Sequence, residues 1–151
     1  MKKLTAIVAI LAVAVAIQCT LSQTSQMPTG AMYTEWYIAT DLGDLPGFER
    51  VPMTNMTAYR TYDEQAQMPS DARVLGVSKY YASADMSLDT VIETMRASIV
   101  GIAPIEQGNV YTCHTNRLRD SVSIDGNKVN VQIACVAGRI VVGTPMLLGG
   151  Y

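Results

Sequence analysis

The tightest constraint in this chain lies in residues 129–137. Val129, Val131, Ile133, Cys135 and Ala137 fall on one face of an extended segment, and Asn130, Gln132 and Ala134 fall on the other. Successive side chains of a strand point to opposite faces, so this period of two suits a strand and not a helix. Residues 109–124 are strand-like as well, and Asp125-Gly126-Asn127 between them has turn chemistry. Residues 109–142 therefore predict two strands joined by a turn, in an antiparallel sheet with one covered face.

This unit carries two of the three cysteines, Cys113 and Cys135. Whether they pair depends on the compartment, and the N-terminus speaks to that. Met1-Lys2-Lys3 precedes 14 uncharged residues, 4–17. That run is shorter than the roughly 20 residues that span a bilayer, and it matches the basic and apolar regions of a secretory signal peptide. Residues 1–22 read as a leader, cleaved after Ala16 or after Ser22. Cys19 stands just past the apolar run, where a bacterial lipoprotein carries its acylated cysteine, although Gln18 replaces the small residue expected before it. With Cys19 removed or acylated, Cys113 and Cys135 form an even pair in an oxidising compartment, which predicts one disulfide.

Two registers are open for that pair. A tight loop at residues 125–128 sets Ile124 opposite Val129 and Cys135 opposite Leu118, which keeps the sulfurs apart. Direct pairing of the cysteines instead sets Arg119 opposite Val129 and widens the loop to residues 121–127; a bulge would reconcile the two.

Upstream, residues 23–30 read as a polar tether and residues 31–151 as a single domain, in keeping with a 151-residue chain. Residues 32–40 alternate and predict a first strand. Residues 41–47 have loop chemistry, with Gly43, Pro46 and Gly47. Residues 48–53 predict a short strand that Pro52 places at an edge or an end. Residues 54–71 are polar and read as a long loop with one helical turn near residues 63–67. Residues 73–81 predict another strand. Ser87 offers an N-cap and Asp89 a negative charge in the first turn. Leu88, Val91, Ile92, Met95 and Ile99 then form an apolar stripe, Gly101 suits the helix end, and Pro104 blocks continuation. The expected architecture is α+β: one amphipathic helix of about 13 residues on a four- to five-stranded, mainly antiparallel sheet.

From residue 75 onward, Leu75-Gly76-Val77-Ser78, the helix with Met95-Arg96 and Ala97, the strand ending in Cys113, and Ala134-Cys135-Val136 on the last strand form a sequence of motifs. Together they resemble the periplasmic domain of the Rcs envelope-stress outer-membrane lipoprotein and its relatives. The resemblance covers about half the chain; the family's additional disulfide cysteines are missing here and the loop between the two cysteines is longer. It implies a disulfide across the last two strands, and an envelope sensor or binding protein and not an enzyme.

Net charge is −2, and −4 once Lys2 and Lys3 leave with the leader, with no block of like sign. That excludes nucleic acid as a partner and limits membrane contact to the leader or a lipid anchor. The functional expectation is a non-catalytic envelope or periplasmic module that binds a protein or ligand, without a cofactor, with Tyr33, Trp36 and Tyr37 as a contact patch. A second reading is copper handling, with Met53 and Met56 as soft thioether ligands that His114 could join through the fold. A third is an enzyme with its site in residues 54–71. Asp41, Asp44 and Glu49 around two glycines read as a solvated turn, since their spacing matches no calcium loop. His114 adjoins Cys113, but neighbours on a strand face opposite ways, so the two cannot act as a nucleophile pair.

Overall fold

The structure, a computed structural model, describes residues 24–150. The leader, its cleavage sites and Cys19 lie outside the described residues. In chain order the elements are β1 (Tyr33–Ile38), β2 (Glu49–Pro52), β3 (Thr57–Thr61), β4 (Val74–Ala82), α1 (Leu88–Met95), β5 (Ser98–Ile105), β6 (Gly108–His114), β7 (Val122–Ile124), β8 (Asn127–Val129), β9 (Val131–Val136) and β10 (Arg139–Thr144). Eight strands form one sheet in the order β2-β3-β1-β4-β10-β9-β6-β5, and β7 pairs with β8 in a separate ribbon. Every ladder is antiparallel.

The α+β expectation is therefore corrected: the protein is mainly β, with twice as many strands in its sheet as the lower expectation, and only short helical pieces. Three misread segments account for this. Within residues 54–71, Thr57-Ala58-Tyr59-Arg60-Thr61 is a strand, because its small and aromatic side chains are buried between β1 and β2. Residues 129–142, expected as one strand, hold the end of β8, then β9 and most of β10, since Gly138 at φ 75° lets the chain reverse between β9 and β10. The third segment is the end of the helix. Ser87 caps α1 by accepting from Thr90 N at 3.1 Å, as its sequence position predicts. The helix then stops at Met95, where Arg96 takes the left-handed conformation (φ 49°, ψ 46°) and its N–H returns to the carbonyls of Ile92 and Glu93. Ile99 is not on the helical stripe; it lies in β5 opposite Cys113, 43 % exposed, and Gly101 and Pro104 lie in the same strand. The β-branched run after Ser98 favours the extended edge position that β6 offers over another helical turn.

The disulfide is also corrected. In the β6–β9 ladder Cys113 stands opposite Val131, and Cys135 opposite Asn109. Both cysteines share a face, but they are four residues apart along the ladder, about 13 Å at the rise of a strand. A disulfide needs Cα atoms within about 7 Å, and both thiols are free. Neither anticipated register forms, because β7 and β8 make their own hairpin with Ile124 opposite Asn127.

Both faces of the sheet are covered, not one. On the α1 face, Tyr81, Ile133 and Val142 pack with Val91 and Met95, and Trp36, Ile38, Tyr59 and Val77 continue the layer. Met27 joins this core, and the Pro28 carbonyl accepts from the Tyr81 hydroxyl at 2.6 Å. On the other face Tyr80, Val110, Ala134 and Val141 meet Leu147 of the C-terminal segment. That segment, residues 145–150, lies flat on the sheet because Gly76 and Gly143 carry no side chain. A Cβ on Gly76 would stand 2.9 Å from Leu148 Cδ1, and one on Gly143 2.7 Å from Leu147 Cδ2.

Candidate binding groove

Tyr33, Glu35 and Tyr37 alternate along β1 and so share one face, the face on which the C-terminal segment lies. Register decides what each meets. Tyr33 stands opposite Tyr80 of β4, Glu35 opposite Arg60 of β3 and Ser78 of β4, and Tyr37 opposite Ala58 and Gly76. A carboxylate is thereby placed near the middle of a sheet, 6 % exposed.

Burial without partners would cost such a group several kcal/mol, and its neighbours supply them. Arg60 donates Nε and Nη2 to Glu35 Oε1 at 3.0 and 2.7 Å. The Tyr37 hydroxyl donates to Oε2 at 2.7 Å, and the Tyr80 hydroxyl lies 2.9 Å from the same oxygen. Tyr80 also lies 3.1 Å from the Gly150 carbonyl and 3.3 Å from the Tyr37 hydroxyl, so its single proton has three acceptors in reach, two in the sheet and one in the C-terminal segment. The Arg60 guanidinium sits 4.7 Å over the Tyr33 ring, and Tyr33 stacks on Tyr80 with centroids 4.3 Å apart. Burial pushes the Tyr37 hydroxyl up to about 12 and that of Tyr80 higher still, while Glu35 beside it holds Arg60 firmly protonated. The tyrosines are thus fixed as neutral donors.

Above this network lies a cavity of about 340 Å³. Its lining crosses β2, β3, β1, β4 and β10, about 19 Å at the usual strand spacing. Val51, Met53 and Ala58 form an apolar end, Tyr33, Glu35 and Arg60 the floor, and Arg139 the far end, with Gly149 and Gly150 as one rim. Glu35 is matched by Arg60, which also lies 3.7 Å from Glu49. Arg139 has no ion-pair partner among the described residues.

Of the anticipated contact patch, Tyr33 and Tyr37 reach this groove, whereas Trp36 points to the opposite face and is 2 % exposed among Ile38, Tyr59 and Val77. Met53 lines the groove. Met53 and Met56 flank the β2–β3 turn, joined by a backbone bond of 3.0 Å, but His114 ends β6, five ladders from β3 and six from β2, about 24 Å or more across the sheet. The three cannot share an ion. Asp41 is engaged by Arg50 and by the N–H of Gly43, which hold its carboxyl well below the usual range. Among the described residues no three acidic, histidine or cysteine side chains converge on a metal position. Beside residues 61–66 a second cavity of about 10 Å³, lined by Thr34, Trp36, Thr61 and Lys79, has room for about one water. Glu35, Arg60, Tyr80 and Arg139 escaped the sequence reading. The available signal was Glu35 alternating between two tyrosines; Arg60 lay in the segment read as loop.

Comparison with protein-family models, curated proteins and solved structures finds no match to this chain. Among the described residues no helix is long and apolar enough to cross a membrane.

Proposed function

We propose that this is an exported, non-catalytic binding protein of the bacterial envelope, and that it holds a small ligand in the groove over Glu35. The leader-like residues 1–17 support export. The observation that carries the binding reading is the groove itself: a cavity of about 340 Å³ with an apolar end, a rigid hydrogen-bonded floor and one charge left unmatched. Small-molecule sites begin at about 300 Å³ and combine apolar surface with a few fixed polar groups. A floor held by three donors and a ring stack is preorganised, which lowers the ordering cost of binding.

The test uses native mass spectrometry of the full chain recovered from cell envelopes. The wild-type protein is expected to carry a non-covalent adduct. Gly150→Phe should lose it while keeping its fold, because a Cβ at Gly150 meets nothing within 4 Å and the new ring would fill the groove from its rim. An adduct unaffected by this substitution, or none in either protein, would count against the groove. The same spectra report the mature N-terminus, at Ile17, at Gln23 or at an acylated Cys19.

A further inference from the structure

The charges that line the groove select the chemistry of its ligand, and this inference rests on the binding reading above. An aromatic ring beside a buried carboxylate ordinarily suits a cation. Here the protein fills that position itself: the Arg60 guanidinium lies over Tyr33 and donates twice to Glu35 Oε1. An incoming cation would have to displace that guanidinium from Glu35, which it meets at 2.7 Å. Both Glu35 oxygens are already engaged, Oε1 by Arg60 and Oε2 by Tyr37, with the Tyr80 hydroxyl 2.9 Å from Oε2. The remaining charge on the lining is Arg139, at the β10 end, with no ion-pair partner among the described residues. Val51, Met53 and Ala58 sit at the β2–β3 end and carry no polar side-chain group apart from a thioether. The groove is thus cationic at one end and apolar at the other, about 19 Å apart.

The geometry points to a monomeric anionic amphiphile as the ligand: a single-chain carboxylate whose head pairs with Arg139 and whose chain runs along the groove past Tyr33 towards Val51 and Met53. A guanidinium suits a carboxylate because two parallel N–H groups can meet its two oxygens. At about 340 Å³ the cavity is too small to admit a two-chain lipid without rearrangement, so the proposal is a free amphiphile and not a bilayer surface.

The experiment titrates three probes that share a twelve-carbon chain into the full chain: dodecanoate, dodecyltrimethylammonium and the uncharged dodecyl maltoside, all below their micellar concentrations. The readouts are calorimetric affinity and the ¹³C-methyl signal of Met53, assigned with Met53→Leu. Dodecanoate is expected to bind, to shift the Met53 methyl, and to bind at least tenfold more weakly to Arg139→Gln, while Arg139→Lys retains most of the affinity. Equal or tighter binding of the cationic or neutral probe, with the Met53 signal moving, overturns the anion assignment and leaves the groove as a binding site. Binding that never moves Met53, or no binding by any probe, overturns both. The wild-type probe series decides the matter even if an Arg139 variant fails to fold. Dodecanoate binding that requires vesicles of an anionic phospholipid would overturn the free amphiphile in favour of a membrane surface.

Discussion

Glu35 and Arg60 stand directly opposite each other across the β1–β3 ladder, and both Arg60 nitrogens that reach the carboxylate, Nε and Nη2, converge on its single oxygen Oε1. That leaves the second oxygen free for Tyr37 and Tyr80, so one acidic side chain organises three strands. It is the reason this face of the sheet can bury a charge and still present a groove.

Arg60→Met should cost about 3 kcal/mol or more, because it leaves a buried carboxylate short of its cation. Glu35→Leu combined with Arg60→Met should cost less than the sum of the two single changes. Urea unfolding of the wild type, both single variants and the double variant gives the coupling; additive effects would show that the pair acts independently.

Tyr37 carries an alkaline dependence whose sign is fixed by burial. Its hydroxyl is raised from 10.0 to about 12, so the unfolded chain ionises first as pH rises. The stabilisation is fully present below pH 10 and is lost between about 10 and 12, by up to 2–3 kcal/mol. Tyr37→Phe should be less stable at neutral pH, by about 1 kcal/mol for the lost hydrogen bond, yet should show a shallower loss between those pH values when the urea midpoint is followed.

Cys113 and Cys135 are expected to remain thiols. Burial pushes Cys113 up to about 11 and raises Cys135 as well. At pH 8 only about one Cys113 in a thousand is a thiolate, so iodoacetamide should label it very slowly in the native protein. Unfolding in urea without reductant should expose both to alkylation. A mass two hydrogens short after that treatment would mean the cysteines had paired.

Arg96 holds a left-handed conformation that costs a non-glycine residue roughly 1 kcal/mol. Arg96→Gly should therefore raise stability by about 0.5–1 kcal/mol, visible as a Tm higher by a few degrees. A fall in Tm would mean that the side chain makes contacts that outweigh the backbone relief.

Lys79 is 5 % exposed and its ammonium has one long bond, 3.4 Å to the Pro28 carbonyl. Burial lowers its pKa below 10.5, so the folded state releases the proton first and stability rises as pH climbs towards 10.5. Lys79→Met should be as stable as the wild type or more so at pH 7, by about 1 kcal/mol, and should lack that rise. Thermal melts between pH 6 and 9.5 compare the two.

Local pattern carried part of this structure. The alternation in residues 32–40 and the β-rich run in residues 73–81 foretold β1 and β4, Ser87 foretold the start of α1, and Asp125-Gly126 at φ 50° and 80° makes the β7–β8 turn where Asp125-Gly126-Asn127 indicated one. Pattern failed where two structures share one composition. Residues 98–105 are apolar enough to extend a helix or to form an edge strand, and the turn at Arg96 together with the β6 edge decided between them. Residues 57–61 are short and half polar, and only burial between β1 and β2 makes them a strand.

The amino-acid order by itself determined the leader-like start, the strand periodicity of β1 and β9, the β-rich run of β4, and the helix cap, because each depends on residues only a few positions apart. It did not determine that Glu35 meets Arg60, 25 residues on, and Tyr80, 45 residues on, or that Cys113 and Cys135 share a face without meeting. Those are facts of register. An antiparallel ladder fixes which side chains stand opposite only after every strand has been paired, and a shift of one residue would send each of them to the other face.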